Sequence, residues 1–420
     1  MQNHGPHSQK PQSIMPMLAV VFIDMVGFGI IIPLLAPLLI SQSSPFVSAS
    51  MGADTRVLML GLLLASFSIA QFFGGPILGA LSDKHGRKPV LLLAMGASFI
   101  GYLIFAFGIV NQSLALLFLG RILGGFVGGS ISVAYSSIAD LSDPKAKAKN
   151  FGLIGMAFGF GFIIGPFLGG KLADPGIVSW FNFSTPFFFT ALLSLMNLAL
   201  VYFKFEETLK VRSHAKISLL TGFRNIKRAF ELPSLKVMFA VIFLLAFGFS
   251  FFTQFSQVFL IERFAFTQSE IGDLFAYIGI WIALTQGVLT KPVSKRFTPE
   301  QVLRFSPVLL AVSLGILLFL HDHFMLYLTM PLIAIAQGLI FPNYTAIISN
   351  LAGRESQGEI FGINQSVQSA ALFMPPIISG VIAAIDFTLP IVASAFFVLC
   401  GWLVYVLFFR HRKAEVFHEV

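Results

Sequence analysis

Runs of about 20 mostly apolar residues recur along nearly the whole of this 420-residue chain, and each is long enough to cross a bilayer as a helix. Lipid offers a backbone no hydrogen-bond partner, so a spanning segment must satisfy its own polar groups by coiling. Charged residues are only 11% of the chain and hydrophobic residues 56%, whereas soluble domains carry roughly a quarter charged residues. No soluble core could hide that much apolar surface. Spans are predicted over 15–40, 56–81, 88–110, 112–139, 148–173 and 184–204, then over 236–262, 269–290, 300–320, 324–350, 357–384 and 388–410. The fold class is therefore all-α integral membrane, with twelve transmembrane helices. Phenylalanine is abundant, at 49 residues, but its rings face lipid and fill gaps between helices, so its abundance identifies no ligand.

The formal charge of +8 is a topology signal and not a nucleic-acid footprint, which needs basic residues gathered on one soluble face. Here they sit in short loops. Those on the N-terminal side hold Lys84, Arg87 and Lys88, then Lys145, Lys147 and Lys149, and a cluster from Lys204 to Lys236; the other side holds only Arg56, Lys171 and Arg263. Basic loops stay in the cytoplasm, so both termini are expected there. The start, MQNHGPHSQKPQSIMP, lacks the regions of a cleaved leader, and the first span is expected to remain as a signal anchor. Cys400 is the sole cysteine, which rules out an intramolecular disulfide and a cysteine metal cluster.

The longest polar stretch, 205–235, separates a first bundle over 15–204 from a second over 236–410, with cytoplasmic tails over 1–14 and 411–420. Within it Leu219, Leu220, Phe223, Ile226 and Phe230 recur at helical spacing beside Arg224, Lys227 and Arg228, a pattern that predicts an amphipathic helix on the membrane surface. The two bundles are related. Phe151-Gly152 and Gly165-Pro166 through Gly170 return half a chain later as Phe361-Gly362 and Pro375-Pro376 through Gly380. Pseudo-symmetric repeats of six helices place a substrate site between the halves near mid-membrane.

After the second span the chain reads GALSDKHGRKP, from Gly79 to Pro89. Gly79, Asp83, Lys84, Gly86, Arg87 and Lys88 meet every fixed position of the major facilitator superfamily signature, G-x-x-x-D-[RK]-x-G-R-K, and the chain resembles that superfamily. The resemblance implies a cytoplasmic gate in which Asp83 faces the start of the eleventh span, near Glu359 to Gly362, and Arg87 pairs with Asp140. The matching loop of the second half, KPVSKRFTPE from Lys291, keeps the basic character without the signature. GRILGGFVGGS from Gly120 is similar to the superfamily's fourth helix; Arg121 lies inside a span, where a charge is costly and usually functional, and Gly124, Gly125, Gly128 and Gly129 fit tight helix packing. Gly161, Gly165, Pro166, Gly169 and Gly170 resemble the fifth-helix pattern of proton-coupled exporters, and are expected to bring that helix against the eighth. FIDMVGFGIIIPLL, with Asp24, Gly27, Gly29 and Pro33, is similar to the tetracycline and multidrug exporters.

Asp24 is the carboxylate deep inside a predicted span; Asp140, Glu262 and Asp273 lie near helix ends. Depth arithmetic at about 1.5 Å per residue places Asp24 and Arg121 roughly 5 Å apart along the membrane normal, so they are expected to meet as the proton-coupling pair. The second half offers uncharged polar residues, namely Gln254, Gln257, Gln286, Gln337, Asn343, Asn364, Gln365 and Gln368, which either bond neighbouring helices or line the substrate cavity. The resemblance implies a secondary transporter, a proton-coupled antiporter exporting a small amphiphilic compound from a bacterial inner membrane, monomeric, with protons, a small-molecule substrate and lipid as partners and no nucleic acid. An importer of the same fold and a non-transporting receptor are the alternatives. No nucleotide-binding loop, paired metal ligands or nucleophile with a base is legible, so no enzymatic activity, metal or cofactor is expected; His321 and His323, flanking Asp322, read as solvated.

Overall fold

The structure, a computed structural model, describes residues 14–41, 44, 46, 52–141, 147–209, 212, 218, 220–233, 235–351 and 357–409. The tails expected over 1–14 and 411–420, Ile14 apart, and the linker's Leu219 lie outside these residues. The described chain is helical, without a strand. The first half comprises α1 (Met15–Ile40), α2 (Ala53–His85), α3 (Arg87–Val110), α4 (Leu114–Asp140), α5 (Lys147–Leu172) and α6 (Thr185–Lys204). A linker helix α7 (Thr221–Glu231) follows. The second half comprises α8 (Lys236–Phe264), α9 (Gln268–Arg296), α10 (Pro299–Leu317), α11 (His323–Leu351), α12 (Gln357–Ile385) and α13 (Leu389–Phe409). Eleven helices among the described residues are long and apolar enough to cross a membrane, and α5 contributes the shorter apolar stretch Gly159–Leu172.

Breaks in these helices have local causes. α1 turns at 32–34, where Pro33 lacks the N–H that would continue the helix. α4 turns at Gly129 and Ser130, where a Cβ on Gly129 would overlap the backbone of Gly75; close passage of α2 bends it. α9 carries a π-helical turn over Thr285–Leu289.

Each half has its own apolar core, with Met17, Leu91, Val133, Ile154 and Val201 in the first and Phe239, Ile242, Leu314, Ile333 and Val398 in the second. A third cluster joins Leu34, Leu35 and Leu60 of the first half to Phe255, Val258 and Ala383 of the second. It lies at the end of the molecule remote from the Gly79–Pro89 turn. There the halves meet along two seams. On one, α2 meets α12, and a Cβ on Gly61 would stand 2.6 Å from the Pro376 carbonyl oxygen and 3.0 Å from the Gly380 Cα. On the other, α5 meets α9, and a Cβ on Gly272 would stand 2.6 Å from the Pro166 carbonyl oxygen and 3.2 Å from the Gly170 Cα. Pro166 with Gly170 and Pro376 with Gly380 are the repeat-related residues, so the internal duplication builds a pair of equivalent seams.

At the signature end α7 bridges the halves. A Cβ on Gly222 would stand 3.0 Å from the Phe72 ring of α2, the Phe223 and Phe72 ring centroids are 5.1 Å apart, and Asn225 donates to Ser366 of α12 at 2.9 Å. The large apolar residues of the amphipathic pattern stay exposed, Leu220, Phe223 and Phe230 being 60%, 50% and 55% accessible, whereas Gly222 and Ala229 are buried. The helix thus turns Gly222 and Ala229 inward and leaves Leu220, Phe223, Phe230, Lys227 and Arg228 exposed.

Candidate functional site

Asp24 sits mid-way along the first stretch of α1, half-buried. Its neighbour is Asn197 of α6, fully buried, whose Nδ2 donates to the Asp24 carboxylate at 2.8 Å and to the Val20 carbonyl at 3.0 Å. The Asn197 Oδ1 has no hydrogen-bond partner among the described residues. Tyr102 of α3 approaches the same place, its hydroxyl 3.4 Å from where a Cβ on Gly27 would stand, and it lies within electrostatic reach of both Asp24 and Arg121. No ion pair joins Asp24 to Arg121 among the described residues. Arg121 instead lies 6% exposed with its guanidinium 4.4 Å from the Phe67 ring centroid, and its Nε has no hydrogen-bond partner. The expected pair is thus drawn to one region around Tyr102 and held apart, Asp24 by the amide and Arg121 by the ring. Sequence reasoning missed Asn197 and Tyr102; the available signal was a lone amide inside an apolar span, which must find a polar partner across a helix interface.

The signature turn brings Arg87 to Asp140, the pair that the motif implies. Gly86 adopts φ +112°, a left-handed-side conformation suited to glycine, and a Cβ there would also overlap the Glu207 carboxylate. Arg87, 6% exposed, pairs with Asp83, donates from Nη1 to the Ser82 hydroxyl at 2.7 Å and from Nε to Asp140 at 3.1 Å. Asp140 also accepts from the Thr208 hydroxyl at 3.3 Å. Asp83 therefore meets Arg87; the side chains of Glu359 and Phe361, which the motif would set near it, lie outside the described residues. Thr208 of the linker apart, these groups belong to the first half, so the cluster ties α2, α3 and α4 together without bridging the halves.

Glu207, just past α6, accepts the backbone N–H groups of Arg87, Lys88, Thr208 and Leu209 at 2.9, 3.1, 3.0 and 2.9 Å. The first two are orphan donors at the start of α3, where an anion is favoured. Burial pushes the carboxyl up, and these four hydrogen bonds outweigh it, holding the group below its ordinary range. Lys88 reaches the Tyr202 carbonyl at 2.9 Å. Gly79 leaves room for Ser132, 3.7 Å from where its Cβ would stand.

On α5 the glycines divide between two partners. Cβ atoms on Gly161, Gly165 and Gly169 would run into α1 at Met25, Val26 and Ile30, and only Gly170 faces α9, at Gln268 and Ser269. The expectation that this pattern serves contact with the eighth span holds for Gly170 and for the Pro166 carbonyl; the other three seat α5 on α1, because a helix pitch of 3.6 residues puts Gly161, Gly165 and Gly169 on one face. Beside the α5–α9 seam, Lys171 pairs with Asp273 at 2.8 Å and donates to Ser269 at 2.9 Å.

The second-half amides also divide. Gln257 is buried and accepts from the Ala36 backbone at 3.3 Å, stitching α8 to α1. Gln368 accepts from the Tyr344 hydroxyl at 3.2 Å, and Asn343 donates to its own helix at Leu339. Asn364 is buried with Oδ1 unpartnered among the described residues, whereas Gln286 and Gln365 are exposed and Gln254 is half-buried. His321 lies 2.8 Å from an Arg263 nitrogen and His323 lies 3.2 Å from the Phe264 carbonyl, both at the chain's surface.

A family model described as Major Facilitator Superfamily matches residues 17–289 and again 238–419. The chain is 30% identical over 367 residues to the class C tetracycline resistance protein of Escherichia coli, covering 87% of this chain and 88% of that one. It is 29% identical over 376 residues to multidrug resistance protein 1 of Bacillus subtilis (strain 168), covering 89% and 90%. Among solved structures, a human organic anion transporter superposes with a TM-score of 0.73 at 23% identity, over 94% of this chain and 100% of that one. A D-xylose–proton symporter superposes with a TM-score of 0.74 at 16% identity, over 94% and 98%. These two likenesses speak for the fold alone.

Proposed function

This chain belongs to the Major Facilitator Superfamily, and we propose that it is a proton-driven antiporter that exports a small amphiphilic organic compound across a bacterial inner membrane, as a monomer with both termini in the cytoplasm. The observation that carries this reading is Asp24, a carboxylate at mid-span whose hydrogen-bond partner is a neutral amide and whose neighbourhood includes a separate buried arginine. An amide serves either protonation state, as donor to the carboxylate or as acceptor from the acid. Arg121 moving against Asp24 would expel its proton, and Arg121 leaving would let the acid reform. The resistance proteins among the relatives favour export.

With the signature end cytoplasmic, the structure is closed on the outer side by its two seams and bridged on the inner side by α7. Closing the inner side would bring Asp83 to the start of α12 and release the seams. The Gly61–Gly380 and Gly170–Ser269 approaches then act as the outer gate.

Proton movement in vesicles reconstituted with the full chain tests the direction of coupling. A load gradient directed outward, with tetracycline first in the panel and protein-free vesicles as the baseline, should acidify the vesicle interior. Alkalinisation would identify a symporter and overturn the antiport reading.

A further inference from the structure

Arg121 is a buried cation without an anionic partner among the described residues, and we propose that its partner is the load itself: an organic anion or zwitterion whose charged group meets the guanidinium and whose flat apolar part lies against Phe28 and Phe67. The proposal deepens the antiporter reading and rests on it only for the direction of transport.

Three observations build the site. First, Asp24 and the acids of the signature turn are otherwise engaged. Asp83 and Asp140 are held by Arg87, Glu207 caps α3, and Asp24 is bonded by Asn197. Second, Arg121 is placed by design and not by default. Gly125, one turn further along α4, has no side chain, and a Cβ there would overlap the Phe67 carbonyl oxygen; the resulting close approach of α2 fixes the Phe67 ring beneath the guanidinium at 4.4 Å. A ring face supports a cation and leaves the in-plane N–H groups for an anion. The rigid fork of arginine matches a carboxylate's two oxygens, which a lysine could not do. Third, the apolar wall continues. The Phe28 ring centroid is 5.8 Å from that of Phe67, and Phe28 is 36% exposed despite its place in a half-buried helix. Phe28 lies four residues from Asp24, on the same face of α1, so the aromatic pair runs from the arginine to the helix face that carries the acid. A ligand with a charge beside a planar ring fits this order of groups.

The chemistry is read by probes that share one ring and carry an anionic, a neutral and a cationic substituent: 2-naphthoate, 2-naphthamide and 2-naphthylmethylammonium, titrated calorimetrically into the purified full-length protein at fixed salt. Naphthoate should bind at least tenfold more tightly than the other two. Arg121→Gln should bring naphthoate to the level of the amide, and Arg121→Lys should keep the order of the three with a smaller gap. Equal affinities, a preference for the ammonium, binding of none of the three, or unchanged naphthoate affinity in Arg121→Gln would each overturn the proposal. The comparison in the unsubstituted protein stands even where a variant fails to fold. Asp24→Asn should retain the preference for the anion. Anion preference without proton movement in vesicles would sink the antiport reading alone, and proton movement without anion preference would sink this site alone.

Discussion

The two ends of the molecule hold the halves together by different physics. At the end remote from the signature, backbone meets backbone across glycines, with a third apolar cluster filling the interface. At the signature end Asp83, Arg87 and Asp140 are spent on one another inside the first half, and a small, separate helix bridges the halves with a hydrogen bond to α12 and ring contacts to α2, beside a direct Phe72–Phe373 contact. Close-packed seams are bistable, because a fraction of an ångström forfeits much of the dispersion attraction. The Arg87 cluster stabilises the first half as a rigid body, while Lys171–Asp273 and Gln257–Ala36 add polar bonds between the halves beside the seams. The difference teaches that the motif-bearing residues make the moving parts rigid, whereas residues with no side chain decide where those parts touch.

The largest effect is expected from pinning the bridge. In a Cys400→Ser background, Asn225→Cys with Ser366→Cys should form a disulfide under mild oxidation, keep α7 between α2 and α12, and stop transport completely until a reductant is added. Transport unaffected by a fully formed cross-link would show that α7 does not need to leave. Next comes the seam. Gly61→Leu must push Pro376 and Gly380 away; overpacking costs roughly 1–3 kcal/mol, which moves a two-state equilibrium by about 5- to 150-fold. Labelling of a cysteine at the outer end of α12 should rise accordingly, with thermal unfolding almost unchanged. A collapse of thermal stability would instead place Gly61 in the folding core of one half.

An effect on stability and not on the gate is expected from Arg87→Gln. It removes charge-assisted hydrogen bonds to Asp83 and Asp140, each worth roughly 1.5–3 kcal/mol, and should lower the unfolding temperature of the protein while leaving the seams closed. A change in labelling at the seams without loss of stability would contradict the assignment of this cluster to one half. Smallest is the pH response of the Glu207 cap. Its folded carboxyl is held below the ordinary value, so its stabilisation is present above the unfolded value of about 4.3 and is lost only as pH falls through the lower folded value. The stability difference between wild type and Glu207→Gln should therefore stay constant from about pH 7 to pH 5 and shrink in stronger acid. A difference that fades already by about pH 6 would show that the carboxylate is not held by those backbone groups.

What the sequence made legible follows the same division. Twelve apolar runs, the polar linker and the duplicated Gly-Pro segments were plain because lipid imposes one periodicity and one length on every span. Arg87 and Asp140 could be paired because the signature carries that pairing with it. Gly161, Gly165 and Gly169 were misread as facing the eighth span, since spacing along a helix defines a face without saying which neighbour occupies it. Asn197 offered only the signal of a lone amide in an apolar span, and Tyr102 and Glu207 offered none, because their partners Asp24, Gly27, Arg87 and Lys88 lie far away in the chain. The packed face of α7 was also hidden, because its largest apolar residues are the ones left outside.

Concentrative transport by Asp24→Asn, measured in reconstituted vesicles with an imposed pH gradient, tests the coupling most directly. The asparagine keeps a hydrogen-bonding partner for Asn197 but cannot carry a proton. The variant should still bind the load and exchange it across the membrane when no gradient is applied, and should accumulate none when the gradient is present. Accumulation at the wild-type level would contradict the account, since it would make Asp24 a bond between α1 and α6 and nothing more.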